Sequence, residues 1–431
     1  MSRYTKNDII RMVEDEDVEF IRLQFVNIYG ELKNMAVTTS QLEKVLDNRC
    51  MFNGAAIEGF SDYSKSELFL VPDLDTFEIF PWRPQQGKVA RFICDVVNSD
   101  GTPFEGDSRY VLKQVLEEAH NMGYLFEVGP ECEFYLFDTE EDGTPTTKTS
   151  EQGGYFDIGP IDAGENVRRE IVLFLEDMGF EIESSYHAAE PAQHEVDFKY
   201  GRGIQTADNI ITFKLVVRSV AKRHGLHATF MPKPRYNLRG SGLHLTMALT
   251  KDGKNIFADD NNKVSKEAYA FMAGIIEHIE GMSLINNPIV NSYKRLVPGY
   301  NAPIKVTNQA SSPEALFHMT SLGGGGNRLE FRSPDASSNP YLVLAVCLAA
   351  GLDGIKRGLV PIAGIEEGME APKTLPATLK EAITAFEKDE FVQNVIGKHI
   401  AEKYIETKSK EWKEYCKQVS AWEVEQYLYR F

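Results

Sequence analysis

Cysteine is scarce in this sequence, with five residues scattered over 431 positions and no two of them forming a C-x-x-C pair. An odd and scattered set argues against a disulfide framework, and the missing pairs argue against a zinc knuckle. We therefore predict buried free thiols. The five residues are Cys50, Cys94, Cys132, Cys347 and Cys416.

The sequence also lacks an excess of basic residues and a long apolar run. Its 46 lysines and arginines face 64 acidic residues, a formal net charge of −18, which argues against a nucleic-acid binder and against adhesion to anionic membranes. The first twenty residues have no basic segment followed by an apolar one, and no stretch of about 18 apolar residues occurs anywhere. We expect a cytoplasmic protein with no membrane partner and with a core large enough for one large or two moderate domains.

Turn signals and periodicity indicate two regions. Strand-like runs at 20–26 and 88–97 precede the turn-rich segment 101–109, which is typical of a domain boundary. Beyond it Asp107 is suited to cap a helix, and the alternating run 126–137 predicts a strand. The fold class is therefore α+β. Helical periodicity is found at about 164–179, 207–224, 264–282 and 339–357, and from 377 to the end.

Several strand-like runs carry residues that could hold a metal. Glu131 and Glu133 are two positions apart in FEVGPECEF, so both carboxylates point to one face of a strand and need a cation nearby. His244 follows a Gly-Ser-Gly turn that permits close backbone approach, and Glu195 and Glu330 lie in further strand-like runs. Each signal is weak alone, because a single strand glutamate is usually solvated.

Seven segments then make the sequence recognisable. In this order and at these separations they resemble the signature segments of bacterial type I glutamine synthetases over about 20–431: GPECEF, AQHEVDFKY, FKLVV, HGLHATFMPKP, GSGLH, NSYKRLVPGY and RSPDASSNPYL. The resemblance implies an N-terminal β-grasp-like domain at 1–105 and a catalytic domain at 106–431 with a curved antiparallel sheet and helices. It also implies active sites between subunits of a homo-oligomer of two stacked hexameric rings.

That family phosphorylates the side-chain carboxylate of glutamate with ATP and then joins it to ammonia, using at least two divalent metals. By resemblance, Glu131, His244 and Glu330 match the ligands of the metal near the ATP phosphates. Glu133 and Glu195 match two of three ligands of the other metal. Oxygen ligands with one imidazole suit Mg²⁺ or Mn²⁺.

The third ligand of the second metal falls where this chain has Ala188. Glu190 lies two residues on and would face the same way if the segment were extended, so it could partly compensate. The alternative is that the second metal is bound weakly or lost.

Four residues match positions around the amino-acid substrate. Arg295 matches the arginine that holds the α-carboxylate, and Arg332 matches an arginine that reaches the transferring phosphate. Both arginines could instead form structural ion pairs. Arg239, next to Gly240, replaces an asparagine that touches the substrate. Either the ligand carries an extra anionic group or the Arg239 side chain fills the pocket.

Other positions depart from the resemblance. Asn53 and Asn301 stand where the family has two acidic residues that accept protons, and an amide cannot act as such a base. Three positions that are typically arginines facing the nucleotide hold other residues, and although Arg328 remains, this makes ATP a doubtful cosubstrate. The three are Pro313, His318 and Leu322.

Three functions follow. The substitutions favour a diverged metal-dependent enzyme that acts on a carboxylate or amide of a glutamate-like compound, with little glutamine synthesis. One alternative is a functional glutamate–ammonia or glutamate–amine ligase. The other is a non-catalytic homologue that binds metabolites or associates with a true glutamine synthetase.

Overall fold

The computed structural model describes most of the chain. The described residues are 3–62, 66–83, 86–309, 312–320, 326–360, 369 and 373–431. Leu322, one of the positions singled out above, lies outside them.

The first region forms a five-stranded mixed sheet. Its elements are α1 (Lys6–Asp15), β1 (Val18–Val26), β2 (Leu32–Thr38), α2 (Leu42–Leu46), β3 (Cys50–Asn53), β4 (Glu67–Ile79) and β5 (Lys88–Asn98). The strand order is β2-β1-β5-β4-β3, with β1 and β5 parallel and the other pairs antiparallel. Both strands predicted in this region are confirmed within a few residues.

A ten-stranded sheet follows. Its strands are β6 (Leu125–Asp138), β7 (Ile182–His187), β8 (Gln193–Phe198), β9 (Gly201–Arg202), β10 (Leu226–Thr229), β11 (Leu243–Lys251), β12 (Lys254–Asn255), β13 (Lys305–Asn308), β14 (Ala315–Thr320) and β15 (Arg328–Phe331). The main path is β13-β14-β15-β11-β6-β8-β7, and all described pairs are antiparallel except β13 with β14. The long strand β6 is central, since it pairs with β8 and β11 and also with β9 and β10.

Helices cover this sheet. They are α3 (Ser108–Asn121), α4 (Glu165–Asp177), α5 (Gly203–Arg223), α6 (Lys266–Asn286), α7 (Ser292–Arg295) and α8 (Pro340–Arg357). Asp107 caps α3 as predicted, accepting the Arg109 N–H at 3.0 Å. The predicted α+β class is confirmed, although α5 begins four residues earlier than its periodicity indicated. None of the described helices is long and apolar enough to cross a membrane.

Helices α6 and α8 approach closely because both carry glycine at the contact. A Cβ on Gly274 would lie 2.0 Å from the carbonyl oxygen of Ala350, and one on Gly354 would lie 2.1 Å from that of Ala270. A methyl group at either position would push the helices apart. The pair forms much of the buried core.

The C-terminal segment, predicted as helical from 377, is broken into four helices. These are α9 (Leu379–Lys388), α10 (Glu390–Ile396), α11 (Lys398–Tyr415) and α12 (Ala421–Tyr427). Asp389 and Gly397 separate the first three, and Gly397 has φ +81°, which ends α10. The cysteines are free as predicted, but Cys416 is exposed because it follows α11 at the surface, so the prediction that all five are buried is wrong.

Candidate active site

Three neighbouring strands bring Glu131, His244 and Glu330 together. On the antiparallel pair β6–β11, His244 lies directly opposite Glu131, and β15 places Glu330 on the other side of β11. Each residue offers one ligand atom, and these atoms all lie within 4.8 Å of one another. Two carboxylates and one imidazole make a donor set that fits Mg²⁺ or Mn²⁺. We call these three residues the metal triad.

Hydrogen bonds set the charge states of the metal triad. His244 Nδ1 lies 3.4 Å from Glu131 Oε2 and 3.3 Å from Glu330 Oε1. Burial disfavours the imidazolium, but the bonds to the two carboxylates outweigh it and raise the pKa of His244 to about 9. The protonated ring thus occupies the place of a cation between the carboxylates.

His318, one of the predicted arginine replacements, contacts the metal triad directly. Its Nδ1 lies 3.0 Å from Glu330 Oε2, and Arg332 Nε lies 3.3 Å from Glu330 Oε1. Burial opposes the charge of Glu330, yet the bonds from His244 and His318 hold its pKa far below the usual value. His318 therefore orients a candidate metal ligand. Sequence analysis did not identify this role, because the contact depends on the pairing of β14 with β15.

The second pair of predicted ligands also meets across a strand pair. Glu133 on β6 lies opposite Glu195 on β8. Burial and the charges of Glu133 and Asp197 raise the pKa of Glu195 well above its usual value, so a cation is needed to hold both groups ionised. Glu133 accepts the Gly242 N–H at 2.6 Å and is fixed in place.

Asp197 is a further carboxylate that sequence analysis missed. It lies opposite Glu131 and is held by Ser184, whose hydroxyl donates to it over 2.5 Å. Burial raises its pKa to about 6. The signal was available, because Glu195 and Asp197 are two positions apart on one strand and share a face, as Glu131 and Glu133 do.

Glu190 does not lie in an extended segment. Strand β7 ends at His187, and Glu190 belongs to the turn that leads into β8, where its carbonyl accepts the Gln193 N–H at 2.9 Å. Ala188 is buried. The side chain of Glu190 instead faces Arg239, with 3.4 Å between Oε1 and Nε. The extended backbone that would let Glu190 partly compensate for Ala188 is therefore not found here.

Arg239 joins Glu190 to Asn301. When the Asn301 amide is oriented with its oxygen towards the guanidinium, that oxygen lies 2.9 Å from Nη2 and 3.2 Å from Nη1 of Arg239. Asn301 has φ +56°, the left-handed region that asparagine tolerates better than most residues. The Tyr135 hydroxyl donates to the Arg239 carbonyl at 2.7 Å. We call Glu190, Arg239 and Asn301 the Arg239 latch.

The other substrate-binding candidates lie beside the metal triad. Arg295 is buried and donates to the carbonyls of Ser333 and Arg332 at 2.9 and 3.0 Å. Within the described part of the chain it forms no salt bridge, so a structural ion pair does not account for it. A Cβ on Gly242 would lie 2.8 Å from both Arg295 Nη2 and His244 Nε2. Glycine there allows the guanidinium to reach the metal triad.

Gly240 is equally confined, because a Cβ there would lie 2.3 Å from the Pro232 carbonyl oxygen. Arg332, besides its contact with Glu330, donates to the Pro313 carbonyl at 3.2 Å. Arg328 stacks on the Tyr200 ring, with 3.6 Å from the guanidinium to the ring centroid.

Asn53 lies apart from these residues, exposed at the end of β3 in the first sheet. Its side-chain oxygen accepts the Ala55 N–H at 3.0 Å. The resemblance implies active sites between subunits, so a role for this position would concern a second copy of the chain.

A buried polar network lies behind the turn that carries Ala188 and was not predicted. Glu151 accepts from His187 Nε2 at 2.6 Å, while Arg168 bridges Asp162 at 2.7 Å and His194 Nδ1 at 3.0 Å. Four side chains of this network lie close enough together to hold a metal ion, namely Glu151, Asp162, His187 and His194. The Arg168 guanidinium already supplies positive charge there, so we interpret the network as support for the β7–β8 turn.

Comparisons with known proteins show similarity over almost the whole chain. A family model described as the catalytic domain of glutamine synthetase matches residues 105–427, and one described as its beta-grasp domain matches residues 17–99. The glutamine synthetase of Clostridium saccharobutylicum is 52% identical over 100% of both chains, and that of Staphylococcus aureus (strain MW2) is 48% identical over 99% of both.

Solved structures are similar over the same extent. A GmaS/ADP complex has a TM-score of 0.88 at 30% identity, covering 98% of this chain and 99% of that one. The glutamine synthetase of Plasmodium falciparum, solved by cryoEM, has a TM-score of 0.89 at 24% identity, covering 99% of both. This second likeness concerns the fold alone.

Proposed function

Because this chain belongs to the glutamine synthetase family, we propose that it is a ligase that uses ATP and divalent metal to join the side-chain carboxylate of a glutamate-like compound to ammonia or an amine. The observation that carries the proposal is the metal triad, assembled beside Arg295, a buried guanidinium that forms no salt bridge to any described residue. Such a guanidinium suits the planar carboxylate of an amino acid.

This proposal differs from the function that the substitutions favoured. A diverged enzyme rested on individual positions such as Asn53 and Asn301, whereas the likeness to glutamine synthetases extends over the whole chain at about half identity. The doubt about ATP is also not supported, since a structural relative is a complex with ADP. We therefore favour the working ligase.

The chain's own residues have separable roles in this proposal. Arg295 and the backbone at Gly240 bind the α-carboxylate, and Arg332 orients the reacting carboxylate. The metal triad holds one Mg²⁺ or Mn²⁺. Glu133 and Glu195 supply ligands for a second metal ion. The metals would neutralise charge on the phosphates and the carboxylate. His318 keeps Glu330 in position through its hydrogen bond.

The nucleophile has no acidic partner at positions 53 and 301. Ammonium and protonated amines must lose a proton before they attack, and an amide side chain does not accept it. The Arg239 latch instead places a guanidinium, paired with Glu190, next to Asn301. We propose that the nucleophile arrives as the neutral amine, so that the rate rises with pH.

We further propose a homo-oligomer of stacked hexameric rings and a domain boundary between residues 105 and 106. The first sheet ends at Asn98 and α3 begins at Ser108, and the turns between them support this boundary. Light scattering on the purified chain would test the assembly.

The decisive experiment supplies glutamate, ATP and Mg²⁺ or Mn²⁺ with either ammonium or methylamine, and measures amide product and phosphate together. Equal formation of product and phosphate supports the ligase, and Glu131→Gln should reduce both by about 10³-fold or more. Phosphate without amide would indicate the diverged enzyme. Neither product, with metal and glutamate still binding, would indicate the non-catalytic homologue.

A further inference from the structure

A large cavity lies at the junction between the first sheet and the helices of the second region. Its volume is about 1060 Å³. Strands β1 and β2 line one side with Arg22 and Lys33, α5 lines another with Lys214 and Arg218, and α11 contributes Lys408. The metal triad and the Arg239 latch do not line it. We call it the junction cavity.

The junction cavity is basic in a protein that is strongly acidic. Seven basic side chains line it against four acidic ones, in a chain with a net charge of −18. The basic residues are Arg22, Lys33, Arg83, Lys214, Arg218, Lys408 and Lys410, and the acidic residues are Glu31, Glu58, Glu411 and Glu414. Charge of this sign concentrated between two walls attracts anions.

Pairing removes little of that excess. Lys33 pairs with Glu31 at 2.7 Å, and Lys408 pairs with Glu411 at 2.9 Å. Glu414 is engaged by a lysine outside the cavity lining. Five cations form no salt bridge to any described residue, namely Arg22, Arg83, Lys214, Arg218 and Lys410.

Burial makes one of these cations costly. Lys214 is only 8% exposed, and burial lowers its pKa to about 8. Arg218 is exposed, although partial desolvation still lowers its pKa. Arg22 Nε is buried with no hydrogen-bond partner among the described residues. The Lys214 ammonium, left in this state, requires a compensating anion, because an unpaired buried charge is destabilising.

We propose that the junction cavity binds a phosphate-bearing small molecule of about nucleotide size. Guanidinium and ammonium groups together suit phosphate oxygens, and the volume matches that of small-molecule sites, roughly 300 to 1,000 Å³. Aromatic faces are also present: Trp82 stacks on Phe80 with ring centroids 4.6 Å apart, and Arg218 lies over the Phe230 ring. The ligand contacts both regions of the chain at once, so its binding fixes the first sheet against α5 and α11.

The test uses inorganic tripolyphosphate as probe and the full-length protein in EDTA, so that metal-dependent binding at the active site is suppressed. Calorimetry should give saturable binding that Lys214→Met and Arg218→Met each weaken at least tenfold. Lys408→Met is the matched control, because Lys408 lines the same cavity but is already paired, and it should change the affinity less than threefold. Glu131→Gln should leave the affinity unchanged.

Three results would overturn the proposal: no saturable binding, binding unaffected by Lys214→Met and Arg218→Met, or binding abolished by Glu131→Gln. Circular dichroism and light scattering on each variant separate lost binding from lost structure. A change of molar mass in Lys214→Met without any binding by the wild type would instead assign the cations to contact with a second copy, and would also overturn it.

Discussion

Lys214→Met should stabilise the folded protein. Lys214 is buried in α5, and its pKa falls from the ordinary 10.5 to about 8. Each pKa unit corresponds to about 1.36 kcal/mol, so holding the ammonium in the folded state at pH 7 costs about 3 kcal/mol. Methionine keeps the length of the side chain and removes the charge. Of the charged or titratable groups facing Lys214, Arg218 adds to the cost, whereas Cys132 and Asp335 reduce it.

The sign of the pH dependence follows from proton counting. Between pH 8 and 10.5 the unfolded chain keeps the proton on Lys214 while the folded chain releases it, so the free energy of unfolding of the wild type rises with pH. Below pH 8 both states are protonated and the full cost is present. The advantage of Lys214→Met should therefore be largest at pH 7 and should shrink as pH rises through this window.

Denaturant unfolding in phosphate-free buffer measures this advantage. We expect Lys214→Met to be more stable than the wild type by about 2 to 3 kcal/mol at pH 7 and by less than about 1 kcal/mol at pH 10.5. Lys408→Met, which removes a buried lysine already paired with Glu411, should not be stabilised. A destabilised Lys214→Met, or an advantage that does not change with pH, would refute the interpretation of Lys214 as an uncompensated buried cation.

Three further predictions concern the active site. Mn²⁺ affinity, measured by calorimetry, should rise about tenfold per pH unit up to pH 9, because His244 must lose its proton to bind metal. An affinity that does not change with pH would contradict the assignment of His244 to the metal triad. Gly242→Ala should lower kcat/KM at least 10²-fold in product assays with little change in circular dichroism, because a Cβ would displace His244 or Arg295. Unchanged kinetics would contradict the close approach of these two side chains to position 242. Asn301→Glu alone should not give a pH-independent rate with ammonium, because Arg239 would pair with the new carboxylate; a flat pH–rate profile in this variant would show that the Arg239 latch does not matter.

The local part of the active site could be predicted from the sequence. Spacing of two along a strand places Glu131 and Glu133 on one face, and the structure has both on β6. The residues that face these two glutamates across the sheet could not be predicted without the strand order. His244 reaches Glu131 only because β11 pairs with β6, and a single sequence contains no signal for that pairing.

Predictions that assumed a backbone conformation fared worse. Glu190 was given an extended backbone from its distance to Ala188, but the chain reverses there and Ala192 adopts φ +67°. A turn redirects every following side chain, so a spacing rule for strands no longer applies. The C-terminal segment was predicted as helical throughout, and Gly397 breaks it in the left-handed region.

The candidate active site has two ends, the metal triad with Arg295 and the Arg239 latch, and each end has its own set of contacts. Three adjacent strands hold the metal triad, and α7 carries Arg295, so a change at Asn301 leaves their geometry intact. At the other end, Arg239, Glu190 and Asn301 satisfy one another's charge and hydrogen bonds. The Arg239 guanidinium thus has both a carboxylate and an amide as partners. These mutual contacts hold the three side chains as one unit, so a change at any one of them should disturb the other two while leaving the metal triad in place.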